Sequence, residues 1–362
     1  MNEMRFACIC MSPALDATVR LPRAPKGDGE IFKDVEDETN VGGKAVNVAR
    51  WLALRGASVA CGGLLGEDNA RPFEKELAKY GIEDLFVRVP GETRRNEMIT
   101  WPGGSVKLNR AAFPGLGSGT TATAGTDVTA GATGNLIDNV LSRLSCSSQM
   151  SRDSHVVILS GSLPPAVPKD FYAKAVAHLK SLGCTTVLDA SGEAMKLALE
   201  AGPDLIKPNA EECEALIGFV PKTADEFKRA TALLREKAAH VVISDGGAGA
   251  WFDGEFVAAP EVEVVDTTAA GDTLLAEYCW RVFGGMGNGE RGMGNGERGI
   301  LLRQGCGGQA GNGLPAEALA KAGEAARWAV AAGSAACTMP GGAPPSCELV
   351  ERLEVSIAAG CH

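Results

Sequence analysis

Short unbroken apolar runs recur along the chain at 5–11, 58–65, 155–159, 185–188, 205–207 and 241–244, and each predicts a buried strand. Between and after them, 41–55, 70–80, 136–144, 169–182, 193–201, 210–217 and 224–236 repeat apolar residues at helical spacing, and 316–335 and 349–358 add two helices at the end. Strands alternating with helices predict a mostly parallel sheet covered on both faces. A further extended run, 262–266, stops at a cluster of small residues before an apolar helical pattern begins.

Four segments break this rhythm. Residues 16–21, 85–89, 96–101 and 105–110 alternate polar with apolar side chains and are joined by Pro/Gly turns such as Pro102-Gly-Gly104. They predict a small antiparallel β lid, assembled from about 14–40 and 86–113. Residues 114–134 are rich in Gly, Thr, Ala and Ser with no apolar period, which predicts a flexible insertion. Gly285-Met-Gly-Asn-Gly-Glu-Arg291 is copied at 292–298, and the tract 284–313 around it predicts a loop expansion, because repeat architectures use longer units. The expected architecture is one α/β domain over 1–362: a three-layer α/β/α sandwich carrying a lid.

Composition narrows the function. The 362 residues are 45% apolar and 22% charged, as in a soluble globular enzyme, and the net charge of −10 argues against nucleic acid or an anionic membrane as partner. No leader pattern and no bilayer-length apolar run are evident, so a cytoplasmic location is expected. Eleven cysteines without paired metal spacing predict reduced core thiols, and four histidines give a zinc site or a Ser-His-Asp triad little to work with.

The chemistry gathers at strand ends. In open parallel sheets ligands bind beyond the carboxyl ends of the strands, and Asp16, Gly43, Ser160, Asp189, Asn209, Ser244 and Asp272 all sit at or just past such ends in the predicted layout. The stretch Asp266-Thr-Thr-Ala-Ala-Gly-Asp272 is central. Its small residues open a helix whose free amides favour an anion, and Asp272 there is either a helix cap or a base beside a bound phosphate. A second glycine turn, Gly42-Gly43, opens the helix carrying Lys44 and Asn47, one turn apart.

With these pieces in order the chain resembles the ribokinase-like carbohydrate kinases, in the phosphofructokinase-B branch of 1-phosphofructokinases and tagatose-6-phosphate kinases. The resemblance rests on Ser12-Pro-Ala-Leu-Asp16, Val41-Gly-Gly-Lys-Ala-Val-Asn-Val-Ala49, Ser160-Gly-Ser-Leu-Pro-Pro165 and Asp266 to Asp272, reinforced by Leu188-Asp-Ala-Ser-Gly192 and Lys207-Pro-Asn-Ala-Glu-Glu212. It implies ATP and Mg²⁺ as cofactors, Asp272 as general base, and an anion nest from Ala269, Ala270 and Gly271. It also implies that Asp16, Gly42, Gly43, Asn47 and Ser160 hold the sugar. Lys44 and Arg94 would grip a phosphate already on it, with Arg95 competing. Lys207, Asn209, Ser244, Gly246 and Gly249 would meet the nucleotide, and Glu212 with Asn209 would organise Mg²⁺ through water, unless Glu212 is an exposed helix charge. The sequence departs from the family pattern at Ala269 and Glu277, where glycine is usual, at Leu274, where Phe is usual, and at Lys107, where an acidic residue is common. The implied activity is phosphorylation of a phosphorylated ketohexose such as fructose 1-phosphate, fructose 6-phosphate or tagatose 6-phosphate. The alternatives are a kinase for an unphosphorylated sugar or nucleoside, or a binding regulator without catalysis. Exposed lid strands also predict a homodimer.

Overall fold

The computed structural model describes residues 5–33, 35–113, 139–143, 155–284 and 316–360. The insertion expected at 114–134 lies outside them, as does the tract 284–313 beyond its first residue; of the helix expected at 136–144, residues 139–143 are described and helical. The first half runs β1 (Arg5–Cys10), β2 (Ala14–Arg20), β3 (Glu36–Gly42), α1 (Lys44–Leu54), β4 (Ser58–Gly66), α2 (Arg71–Lys79), β5 (Glu83–Val89), β6 (Arg95–Trp101) and β7 (Gly104–Leu108). The second runs β8 (His155–Ser160), α3 (Phe171–Ser181), β9 (Thr185–Asp189), α4 (Gly192–Leu199), β10 (Leu205–Ile206), α5 (Glu212–Ile217), α6 (Ala224–Leu234) and β11 (His240–Ser244). It continues through β12 (Gly249–Phe252), β13 (Glu255–Ala258), α7 (Ala270–Cys279), α8 (Ala316–Cys337) and α9 (Cys347–Ala358).

Nine strands form one sheet in the order β13-β12-β11-β10-β9-β8-β1-β4-β5, parallel from β11 through β5 and antiparallel at the β11–β12–β13 end. Cores form on both faces because the central strands are apolar on both sides. On one face Phe6, Cys8, Cys61 and Ile158 pack with Trp51 of α1, Leu275 and Cys279 of α7, and Ala329 of α8. On the other, Ile9, Leu159 and Leu188 pack with Tyr172 of α3, Met195 of α4 and Phe227 of α6. Cys8, Cys10, Cys61 and Cys279 are buried free thiols, the role expected of them. Among the described residues no helix is long and apolar enough to cross a membrane.

The lid is a separate four-stranded sheet in the order β3-β2-β6-β7, with β2 and β6 parallel and the other neighbours antiparallel. Residues 85–89, expected in the lid, instead lie in β5 at the edge of the large sheet, paired in parallel with β4. Phe86 enters one core and Val87 and Val89 the other, so this edge strand is covered on both faces. Residues 262–266 are not a strand either: Val264 and Val265 are each 59% exposed. The amides of Val265 and Asp266 donate to the carbonyl of Cys337 at 2.8 and 3.1 Å, so no strand partner is used. The hairpin β12–β13 lies where the sequence pattern predicted no element.

Candidate active site

An open cleft of about 540 Å³ lies between the carboxyl ends of the central strands and the lid. It is lined by Asp16, Gly43, Lys44, Asn47, Arg94, Lys207, Asn209, Glu212, Ser244, Ala269, Gly271 and Asp272, so most of the candidates from distant parts of the chain meet there. Asp16 comes from the middle of a lid strand rather than a loop of the large sheet. It is opposite Asn40 and Asn96 in register and accepts a 2.8 Å hydrogen bond from Asn96 Nδ2. Gly42 is what admits Asp16: a Cβ on it would lie 1.9 Å from Asp16 Oδ2.

Asp272 stands in the first turn of α7, 6% exposed, and Oδ2 accepts a hydrogen bond from Asn47 Nδ2 at 2.7 Å. The Asn47 carbonyl in turn accepts from buried Arg50 at 2.5 Å, and Arg50 is held by Glu76 at 3.0 Å and donates to the carbonyl of Gly342 at 3.2 Å. This chain fixes which end of the Asn47 amide faces the carboxylate. Burial, then the nearby Asp189 carboxylate, push the Asp272 pKa up to about 6, against Lys44, the Asn47 hydrogen bond and Lys207. A carboxylate poised near neutrality is suited to accept a proton.

Asp189 is the second node, fully buried at the end of β9. Its Oδ1 meets Lys44 Nζ at 3.1 Å and Lys207 Nζ at 3.4 Å, and Oδ2 accepts from Ser160 Oγ at 3.3 Å. Burial opposes its ionisation, but Lys207 and Lys44 outweigh that and hold the carboxyl below its ordinary range. Burial likewise acts against the charge on Lys44, and Asp189, Asp272 and Glu212 together raise it above the usual lysine range.

Ala269 is the N-cap of α7 at φ 65°, a left-handed conformation that L residues disfavour. The loop before it is braced by Asp266, which accepts from the amide and hydroxyl of Thr268 at 2.9 and 2.7 Å and from the Gly341 amide at 3.0 Å. Ala270 N–H donates to the Thr267 carbonyl at 3.3 Å, so it is withdrawn from the expected nest. Among the described residues no acceptor holds the amides of Gly271 and Asp272, and Lys207 Nζ lies 3.3 Å from where a Cβ on Gly271 would stand. A helix start with free amides and an adjacent ammonium suits a phosphate.

Several expected contacts do not form this cleft. Ser160 is fully buried with its hydroxyl on Asp189; the following Gly161 and Ser162 reach the cleft instead. Gly246 is exposed in the turn after β11 and Gly249 is a packing glycine, whose Cβ would meet the Val257 carbonyl at 2.1 Å. Neither lines the cleft. Asn209 and Glu212 bond reciprocally, Glu212 N–H to Asn209 Oδ1 at 2.7 Å and Asn209 N–H to Glu212 Oε2 at 2.9 Å, as in a capping box. The bridge between Asn209 and Ser244 holds both at the same edge.

The sequence pattern of the pfkB family carbohydrate kinases matches residues 13–100 and 127–277. The chain belongs to that family. It is a carbohydrate kinase. The 1-phosphofructokinase of Vibrio cholerae is 32% identical over 282 residues, 76% of this chain and 82% of that protein; that of Escherichia coli is 33% identical over 277 residues, 75% and 82%. Phosphofructokinase-2 from Escherichia coli, solved with substrates and products, superposes with a TM-score of 0.73 at 21% identity over 99% of this chain and 100% of that one. Arabidopsis thaliana ribokinase, with ribose and ATP, gives 0.61 at 18% over 98% and 99%. These two show the ribokinase-like fold.

In this pfkB kinase two site residues escaped the sequence reading of roles: Asp189, noted only as a strand end, and Arg50, a cation on the buried side of α1. A charge on an otherwise apolar helix stripe was the available signal for Arg50. Ala269 also has a measurable consequence. Relief of the left-handed backbone is worth ~1–2 kcal/mol, and the extra freedom of glycine in the unfolded chain takes back about 0.5–1 kcal/mol. Ala269→Gly is therefore expected to raise stability by about 0.5 kcal/mol in urea denaturation; a clear loss would mean that the alanine methyl is needed for packing.

Proposed function

We propose that this kinase transfers the γ-phosphoryl group of ATP to a hydroxyl of a phosphorylated ketohexose, with Asp272 as the general base. The observation that carries the reading is the buried Asp272 carboxylate, oriented by Asn47, next to unbonded helix-start amides and the Lys207 ammonium. The likeness to 1-phosphofructokinases supports the ketohexose phosphate as acceptor class.

In this reading Asp16, held by Asn96, fixes sugar hydroxyls at the lid, and Asp272 takes the proton of the attacking hydroxyl. The hydroxyl oxygen bonds to the γ-phosphorus while the bond to the departing ADP oxygen breaks. Gly271 and Asp272 amides with Lys207 steady the charge on the transferring oxygens. Lys44, tied to Asp189, adds positive charge from the sugar side. ATP lies toward Asn209 and Ser244. Mg²⁺ keeps several waters and needs only one or two protein carboxylates, so the Glu212 oxygen left over from the capping bond is an adequate donor. When bound, the ion neutralises phosphate charge. Closing the lid would exclude water from the site. On β7, Val106 and Leu108 are 46% and 45% exposed, which supports pairing of two copies through the lid.

The test is ADP release by purified protein with ATP, Mg²⁺ and a panel of fructose 1-phosphate, fructose 6-phosphate, tagatose 6-phosphate, unphosphorylated sugars and nucleosides. Preferred turnover of a phosphorylated ketohexose is expected. Preference for an unphosphorylated acceptor would overturn the substrate class, and binding without turnover would leave a regulator.

A further inference from the structure

The proposed substrate carries a phosphate before the reaction begins, and a cation must meet it. Lys44 and Arg94 were the sequence candidates, and both are already engaged. The Lys44 ammonium is on Asp189 at 3.1 Å. Arg94 donates Nε to the Pro13 carbonyl at 3.3 Å, Nη1 to that of Arg110 at 3.3 Å and Nη2 to that of Ser12 at 3.1 Å. Arg94 thus ties β1's exit to the end of the lid and is held as a joint between them. Arg95 is 46% exposed and faces Glu97 at 3.9 Å, and it does not line the cleft.

Lys107 differs from all of these. It lies on β7, is exposed, and lines both the main cleft and the small recess that continues it under the lid. Among the described residues no hydrogen bond or ion pair holds its ammonium. The three carboxylates that line that recess have other partners: Asp16 accepts from Asn96 at 2.8 Å, Glu97 pairs with Arg110 at 2.9 Å, and Asp266 accepts from Thr268 and Gly341. Side chains alternate across a strand, so Val106 and Leu108 take the opposite face from Lys107 and leave it directed to the cleft side of the lid.

Register gives the spacing. Asp16 is opposite Asn96, and Lys107 is opposite Met98, which in turn is opposite Thr18. Lys107 therefore sits one rung, ~7 Å, farther along the lid than the Asp16–Asn96 rung. A sugar whose hydroxyls rest on Asp16 and whose reacting hydroxyl points to Asp272 would extend its far end toward that rung. An ammonium there meets a phosphate as a point charge on a flexible stem, which suits a terminal group free to rotate.

We infer that Lys107 is the cation that receives the phosphate already carried by the sugar, and is a specificity-determining residue of this site. The inference rests on the proposed sugar-phosphate kinase activity. Its test is steady-state kinetics of the wild type, Lys107→Ala and Lys107→Glu, with the best phosphorylated ketohexose and its unphosphorylated counterpart. Loss of a charge-assisted contact is expected to raise KM for the phosphorylated sugar by about tenfold in Lys107→Ala and more in Lys107→Glu, with kcat changed less than about threefold. The selectivity ratio for phosphorylated over unphosphorylated sugar falls by the same factor. Thermal melting of both variants near the wild-type midpoint shows that folding is not the cause. A wild-type preference for phosphorylated sugar with KM held within about twofold in both variants overturns the role of Lys107 alone. A wild type that turns over only unphosphorylated acceptors overturns the substrate class, and the role of Lys107 with it.

Discussion

Asp272→Ala is expected to lower kcat by ~10²–10⁴ while the protein stays folded. The size follows from the role proposed for the carboxylate, accepting the hydroxyl proton as phosphate arrives, and among the described residues the other carboxylates near it are held by other partners. Asp189, its buried neighbour, is bonded to Lys44, Lys207 and Ser160. Glu212 is held on the Asn209 amide, and Asp16 is held by Asn96 in the lid. Folding should survive because the carboxylate contributes one hydrogen bond, to Asn47, and its burial opposes the charge. Pre-steady-state phosphoryl transfer and circular dichroism check the two halves. Wild-type turnover in the variant would remove Asp272 from the chemistry.

Asp189→Asn has the second largest expected effect, and it acts on stability and activity together. Lys207 is 4% exposed and would lose its only ion-pair partner among the described residues, while Lys44 would lose its nearest carboxylate. Removing one member of a buried pair costs ~3–5 kcal/mol because the remaining charge stays buried. The amide is also a poorer match for two ammonium groups, so Lys207 should drift from the helix start and catalysis should fall. Urea denaturation measures the loss. Adding Lys207→Met to Asp189→Asn should recover part of it, since the stranded charge is gone. If the double variant is as unstable as the sum of the two single ones, the pair is not the source of the cost.

Much of the fold was legible because alternating strands and helices leave few arrangements. The central strands and the helices over them, and the lid at 16–21, 96–101 and 105–110, follow from periodicity alone. Residues 85–89 show where that fails: a short run broken by a charge looks like a lid strand, yet its parallel pairing with β4 buries it on both faces of the large sheet. Residues 262–266 show the reverse, a β-branched run that finds no partner strand and lies exposed. At the site, Lys44 and Asp272 were legible from the small-residue turns that open their helices, whereas Asp16, expected at a strand end, lies mid-strand in the lid. The Lys44–Asp189 pair was not legible, because its members are 145 residues apart and meet only through the sheet order. Ser160 was assigned to the sugar although its register opposite Asp189 turns the hydroxyl inward. Gly249 illustrates a different limit, since a glycine required by a neighbouring carbonyl looks the same in sequence as one required by a ligand.

The most direct test of the central claim is the pH dependence of kcat/KM from about pH 5 to 8 for the wild type and Asp272→Asn. In the proposed mechanism the ionised carboxylate is the active form. With its pKa raised to about 6, wild-type rates should be level above neutrality and fall about tenfold per unit well below 6. Any limb from the sugar phosphate itself, which also ionises near 6, appears in both proteins. The expected result is therefore an additional acid limb in the wild type that the Asn variant lacks. Identical profiles for the two proteins would contradict the assignment of Asp272 as the base.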